Sequence, residues 1–221
     1  MKKYRVGLAL FSVALCALLL FCPPTSYASP MTITFVNTGG QSSDGEYVYP
    51  YNFNFTGYSW LYQLMCISFA NPVSGGESWQ VNLTPVSTQA NGSIYVEEAY
   101  LFNIAATAGG NQTTIAEAQW AAWWLNDAAD RTTIQSDINS LGTPFANAVG
   151  GYETAAASAL ASNYSNLDVY VPVSGSQPNG DPLPQYFIGV APGVPEPSSY
   201  LLFGTGLFGL AALWLRRRKI A

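Results

Sequence analysis

The C-terminal end of the chain limits most strongly what the rest of the chain can fold into. The 18 residues from Ser198 to Leu215 carry no charge, and four cations follow them. At about 1.5 Å per residue, a helix of this length is at the lower limit for crossing a hydrocarbon core of about 30 Å. We therefore predict a transmembrane helix at 198–215 and a basic cytoplasmic tail at 216–221. The membrane-stop cations are Arg216, Arg217, Arg218 and Lys219.

The N-terminus has the pattern of an export signal. Three cations within residues 2–5 precede an apolar stretch at 6–21, and two prolines then interrupt it. Ser26 and Ala28 place small side chains at the two positions that a signal peptidase recognises. We predict a signal peptide at 1–28, removed by signal peptidase after Ala28.

The segment between the two ends is strongly acidic. From Ser29 to Pro195 the only cation is Arg131, and twelve of the thirteen acidic residues lie there, so the formal charge of this segment is −11. A domain with this charge repels nucleic acid and anionic lipid and gains solubility. We expect no nucleic-acid partner.

Missing residue types exclude several kinds of site. The chain has no histidine, which removes Ser-His-Asp and Cys-His catalysis and all histidine-based metal sites. Cys66 is the only cysteine left after removal of the signal peptide, so neither an intramolecular disulfide nor a cysteine-based zinc site is expected. We predict no cofactor, no metal ion and no enzymatic activity.

The remaining residues suffice for one extracytoplasmic domain at 29–190, followed by a linker at 191–197. Strand-like segments come first, helix-like segments occupy the middle, and strands return at the end. This order predicts an α+β fold, an antiparallel β-rich, sandwich-like domain with a helical insertion. Strands are predicted at 32–36, 47–51, 52–57, 61–70, 78–84, 167–173 and 185–190, and helices at 95–108, 113–128, 132–141 and 153–163.

The C-terminal features together resemble the PEP-CTERM sorting signal of Gram-negative envelope proteins. The resemblance rests on the sorting motif, on the glycine-containing apolar segment and on the basic cluster; the motif is Val194, Pro195, Glu196 and Pro197. It implies that an exosortase-type membrane peptidase recognises the Pro-Glu-Pro triplet, removes the helix and passes the protein to the cell surface or the exopolysaccharide matrix. A plain single-pass membrane anchor is the alternative.

A second resemblance concerns Cys66 and Gln119. Cys66 lies in a strand-like segment, and Gln119 lies in a helix-like segment with the pattern Gln-x-Ala-x-Trp. In this order the two segments resemble the surface thioester domains of Gram-positive adhesins. The resemblance implies that the Cys66 thiolate attacks the Gln119 carboxamide, releases ammonia and leaves an internal thioester for an outside nucleophile.

Structural explanations for the same residues stay open. Cys66 can be a small apolar side chain in the core or the partner of an intermolecular disulfide. Trp120 and Trp124 are four residues apart on a predicted helix, which places them with Trp123 in the core. A sugar-stacking platform built from these tryptophans is the minor alternative.

The sequence therefore predicts a non-enzymatic protein of the cell surface or the exopolysaccharide matrix, held first in the inner membrane by its C-terminal helix. Exopolysaccharide or another surface protein is the expected partner outside the cell. The alternatives are a covalent adhesin with a Cys66–Gln119 thioester and a polysaccharide-modifying enzyme. The enzyme would need paired carboxylates, and Glu97–Glu98 is expected to be a solvated pair instead.

Overall fold

A computed structural model of the protein describes residues 30–69, 73–176 and 184–190. The predicted signal peptide, the Pro-Glu-Pro motif, the apolar helix at 198–215 and the basic tail lie outside these residues. Within the described ranges, no helix combines the length and the apolar character needed to cross a membrane.

Eight strands and four α-helices make up the described chain, and two short 3-10 helices join them. The strands are β1 (Met31–Thr38), β2 (Ser42–Ser43), β3 (Glu46–Tyr47), β4 (Tyr51–Phe55), β5 (Tyr62–Cys66), β6 (Ser78–Pro85), β7 (Leu167–Pro172) and β8 (Phe187–Val190). The helices are α1 (Ile94–Thr107), α2 (Gln112–Asn126), α3 (Arg131–Ser140) and α4 (Thr143–Ala156). All four helices lie between β6 and β7, which confirms the predicted helical insertion.

Six of the strands form a closed antiparallel barrel in the order β1-β4-β5-β8-β7-β6. The barrel closes because β1 pairs with β4 on one side and with β6 on the other. The prediction of a sandwich-like arrangement is therefore wrong, although the antiparallel pairing is confirmed. Closure leaves the six barrel strands without a free edge.

Alternating side chains fill the inside of the barrel. In β4, for example, Tyr51, Phe53 and Phe55 are buried while Asn54 is exposed, because successive side chains of a strand point to opposite faces. The interior is largely aromatic, and its buried residues are Ile33, Phe35, Tyr51, Phe53, Phe55, Leu64, Cys66, Trp79, Val81, Tyr170 and Phe187. At Gly189 a side chain has no room, since a Cβ there would lie 2.5 Å from the Leu64 Cδ2 atom.

A second core lies between the barrel and the helices. It combines the outward-facing residues Met65, Val169 and Ile188 with the apolar faces of α1 and α2. The helix α2 is buried along most of its length, and α1, α3 and α4 pack against it. The helical insertion thus packs against the outside of the barrel through this second core.

The predicted element boundaries differ from the structure at four points. The strands predicted at 47–51 and 52–57 are wrong as drawn, because β3 ends at Tyr47 and pairs with β2, and the barrel strand β4 spans Tyr51–Phe55. The helix predicted at 153–163 begins at Thr143 instead, after a glycine with a φ of 96° at Gly142 and with proline in the first helical turn. The N-cap of α2 is Asn111, whose side chain accepts a hydrogen bond from the Thr114 N–H, so this helix begins at Gln112 rather than at the predicted residue 113. The strand predicted at 61–70 ends at Cys66.

Candidate functional site

The structure brings Cys66 and Gln119 together at the seam between the barrel and the helices. Cys66 is the last residue of β5, and Gln119 lies in the middle of α2. The Gln119 Nε2 atom donates a hydrogen bond to the backbone carbonyl of Cys66. The Gln119 Oε1 atom accepts one from the backbone N–H of Tyr49 at 3.2 Å. Both side chains are fully buried, so the carboxamide is held in one place beside the cysteine.

Two further polar side chains at the end of α2 bind the residues that follow β5. Asn126 donates from Nδ2 to the carbonyl of Ile67 at 2.5 Å, and an Asp127 carboxylate oxygen accepts from the N–H of Phe69 at 3.1 Å. These bonds satisfy backbone groups that β5 no longer pairs after it ends. Gln119 has the same structural role, because it binds the Cys66 carbonyl. This role accounts for the burial of Gln119 without a thioester.

The Cys66 thiol is free and completely buried. Burial raises the pKa of this thiol to about 12, although a backbone hydrogen bond from Ser68 and the nearby Trp123 indole act in the opposite direction. The thiol also donates a hydrogen bond to the Ser68 carbonyl at 3.0 Å, which favours its neutral form. The Trp123 indole N–H makes no hydrogen bond of normal geometry with any described residue. In the closed domain Cys66 is therefore a neutral thiol at physiological pH.

Glu98 is a buried carboxyl group beside this seam that sequence reasoning missed. It is fully buried in α1, and neither carboxylate oxygen has a hydrogen-bond partner among the described residues. Burial, with a smaller contribution from the Glu97 charge, raises the pKa of Glu98 well above 4.5. A charge on Glu98 would also raise the pKa of Cys66 and Tyr95. The expectation of a solvated Glu97–Glu98 pair is wrong for Glu98.

The helix pattern already contained a signal for the burial of Glu98. Leu101, Phe102 and Ala105 follow it by three, four and seven residues, and all three belong to the buried face of α1. Residues at these spacings share one side of a helix. The apolar positions should have placed Glu98 on the same side despite its charge.

The predicted tryptophan core is confirmed for two of its three members. Trp120 and Trp123 are 0% and 2% exposed, and their ring centroids lie 5.0 Å apart. Trp124 is only partly buried, and the guanidinium of Arg131 lies 5.5 Å above its ring. The buried rings are not accessible to a sugar, so they form no stacking platform.

Chemically, Gln119 binds backbone groups of both Cys66 and Tyr49 at this seam, while the Cys66 thiol belongs to the buried interior of the barrel and lies 3.0 Å from the Ser68 carbonyl. The Tyr49 N–H points at the carboxamide oxygen, where negative charge would develop if a sulfur attacked the carbonyl carbon. No group of three or more His, Cys, Asp or Glu side chains suited to a metal ion occurs in the part of the chain that the structure describes.

The remaining predicted site residues, namely the sorting motif, the basic cluster and Ala28, lie outside the described ranges. The sorting motif and the basic cluster lie in the segment that comparison with known proteins identifies. Residues 193–219 match the family model described as the PEP-CTERM protein-sorting motif. Neither the comparison with curated proteins nor that with solved structures gives a match.

The sorting motif has a direct consequence for the whole chain. PEP-CTERM signals are recognised by exosortase, a membrane peptidase, and they imply an exported protein that is sorted to the cell surface. The described domain is the part of the chain that such sorting would deliver.

Proposed function

We propose that this protein is a non-enzymatic component of the cell surface or exopolysaccharide matrix of a Gram-negative bacterium. The observation that carries the proposal is the sorting motif at residues 193–219. The predicted signal peptide and the acidic domain that precede this motif further support the proposal. The apolar segment at 198–215 would hold the protein in the inner membrane until exosortase cuts near Pro195–Pro197 and releases the domain.

Cell fractionation tests this proposal. In a host with active exosortase, we expect the wild-type protein at the surface or in the medium, at a mass reduced by loss of the tail. Replacing Pro195, Glu196 and Pro197 together by alanine should leave nearly all of the protein uncut in the membrane fraction, since the peptidase has lost its recognition element. The matched control replaces the neighbouring residues Ser198 and Ser199 by alanine and should sort normally.

Two results would contradict the proposal. One is surface delivery of the triple variant at the wild-type level. The other is wild-type protein that keeps its tail and stays in the inner membrane in the presence of exosortase, which is the behaviour of a plain single-pass anchor.

A second candidate function, a covalent adhesin with an internal thioester, is favoured by one structural observation. The fully buried Gln119 carboxamide binds the backbone carbonyl of Cys66 and accepts a hydrogen bond from the Tyr49 N–H. In the proposed step the Cys66 sulfur bonds to the Gln119 carbonyl carbon, the carbon–nitrogen bond breaks, and the thiol proton leaves with the nitrogen as ammonia. The thiolate is the nucleophile. Because burial keeps the thiol protonated, the step belongs to a stage of folding before the seam closes.

Intact-mass spectrometry of the purified full-length protein tests the thioester. We expect a deficit of about 17 Da, the mass of one ammonia, which disappears as methylamine adds to the former Gln119 side chain. Cys66→Ser removes the thiol with little change in volume and should show neither the deficit nor the adduct. A full mass with no adduct, together with a thiol that reacts only after unfolding, would leave Cys66 as a core residue and Gln119 with the structural role that it shares with Asn126.

A further inference from the structure

A groove of about 740 Å³ opens at the end of the barrel near the start of β5, beside the C-terminal half of α1. This volume is within the range of about 300–1,000 Å³ that is typical of small-molecule sites. Its walls come from five different parts of the fold: the segment around β4, the start of β5, α1, the 3-10 helix Ala161–Tyr164 with the start of β7, and the end of β8.

The lining of the groove is polar but uncharged. None of the described residues that line it is an acid or a base. Five carboxamide side chains contribute instead, and they are Asn52, Gln63, Asn103, Asn163 and Asn166. A carboxamide both donates and accepts hydrogen bonds, and so does a sugar hydroxyl. The lining therefore suits a neutral ligand that is rich in hydroxyl groups.

Three of these carboxamides are free to bind a ligand. The side chains of Asn103, Asn163 and Asn166 are exposed and make no hydrogen bond with other described residues. Asn52 and Gln63, by contrast, already contact Asn37 and Tyr49. The free amides come from α1 and from the segment before β7, so they face the groove from its helical side.

Aromatic side chains border the opposite side. Tyr62 lines the groove, and its ring lies 6.1 Å from that of Trp60 and 5.8 Å from that of Tyr58. Trp60 is 58% exposed, and its neighbour Leu61, which also lines the groove, is 51% exposed. Large exposed apolar side chains grouped at a cavity mark a binding surface. The apolar face of a sugar ring can stack on such aromatic rings while its hydroxyls reach the amides.

From this arrangement we infer that the groove binds a neutral polysaccharide, with the free asparagines on its hydroxyl groups and the Trp60–Tyr62 rings under a sugar ring. An anionic glycan is disfavoured, because the domain is acidic and its only cation, Arg131, binds the Trp124 and Leu125 carbonyls at the end of α2. A peptide added as an extra strand is disfavoured as well, because the closed barrel offers it no edge.

This inference rests on the proposed function, which places the protein outside the cell among polysaccharides. The binding test itself does not depend on that location. The full-length protein, purified in detergent, is run in native gels that contain dextran, amylopectin, galactomannan, xyloglucan or a β-1,3-glucan. We expect at least one of these neutral polymers to retard the wild-type protein, and alginate, a polyuronate, to have no such effect.

Two variants probe the two sides of the groove. Asn163→Ala combined with Asn166→Ala, and separately Trp60→Ala, should each weaken retardation at least fivefold, while thermal unfolding stays unchanged because these side chains are exposed. Tyr47→Ala is the matched control: Tyr47 is 56% exposed and does not line the groove, so its loss should leave retardation at the wild-type level.

The inference is overturned if none of the neutral polymers retards the protein, if alginate retards it more strongly than they do, or if the groove variants bind as the wild type does. These failures are distinguishable from failure of the proposed function, which is measured by sorting in cells. Normal sorting without polysaccharide binding removes only the groove assignment, whereas binding without sorting removes only the proposed location.

Discussion

Replacing Phe53 by alanine is expected to lower the free energy of unfolding by about 3–5 kcal/mol. The Phe53 ring is fully buried at the centre of the barrel, with its centroid 5.4 Å from Phe35, 5.8 Å from Trp79 and 4.7 Å from Phe187. These rings come from three other strands, so the neighbours cannot collapse into the space left by the substitution. The decrease in the free energy of unfolding has two parts, namely the lost free energy of burying the ring and the cost of the cavity that remains.

Chemical denaturation of the purified protein, followed by tryptophan fluorescence, measures this effect. Tyr47→Ala serves as the control, because it also truncates an aromatic ring but at a position that is 56% exposed, and it should change stability by less than about 0.5 kcal/mol. Equal effects of the two substitutions would contradict the closed aromatic interior.

Replacing Glu98 by glutamine is expected to stabilise the protein in a pH-dependent way, hardly at all at pH 4 and increasingly as pH rises above 4.5. The neutral Glu98 carboxyl and the glutamine amide are similar in size, and both lack partners in the buried site. Above pH 4.5, however, the unfolded chain ionises at Glu98 while the folded protein retains the proton, since burial raises the pKa of this group.

The sign follows from which state binds more protons. Between 4.5 and the raised folded-state pKa, the folded protein binds more protons at Glu98 than the unfolded chain does, so the wild type loses stability as pH rises. The slope for one group is about 1.4 kcal/mol per pH unit. The glutamine variant lacks this dependence, and the two stability curves should separate as pH increases.

Urea denaturation at several pH values between 4 and 8 tests the separation. Glu97→Gln is the matched control, because Glu97 is the adjacent residue of the same helix but is only partly buried, and burial raises its pKa as well. Its curve should follow the wild type far more closely than that of Glu98→Gln. Parallel curves for Glu98→Gln and the wild type would show that Glu98 is ionised in the folded protein.

The described fold was predictable where local patterns dominate. The helices near Ile94–Thr107, Gln112–Asn126 and Arg131–Ser140 follow from composition and capping signals, and the strands at Met31–Thr38 and Leu167–Pro172 follow from strand-like composition between turn signals. The first ten residues of the last helix, 143–152, were missed because its start signal, a glycine followed by proline in the first turn, is short and was outweighed by the alanine-rich stretch after it.

The sequence allowed Cys66 and Gln119 to be singled out as a pair, but it did not predict which other groups surround them in the fold. Cys66 and Gln119 stood out by residue type and segment, whereas the Tyr49 N–H that contacts Gln119 comes from 70 positions away and has no signature in sequence. The groove asparagines could not be predicted either. No local sequence pattern distinguishes an exposed asparagine in a turn from one that lines a binding groove.

The sequence alone determined where the protein is directed and which chemistry it lacks, because a sorting motif and the absence of histidine are local facts that no folding changes. Only the tertiary structure decided that the sheet closes into a barrel, that Glu98 is buried without a partner among the described residues, and that the free asparagines and Tyr62 line one groove. These features depend on pairing and packing between distant segments, whose geometry is set by burial of the whole core rather than by any one stretch of residues.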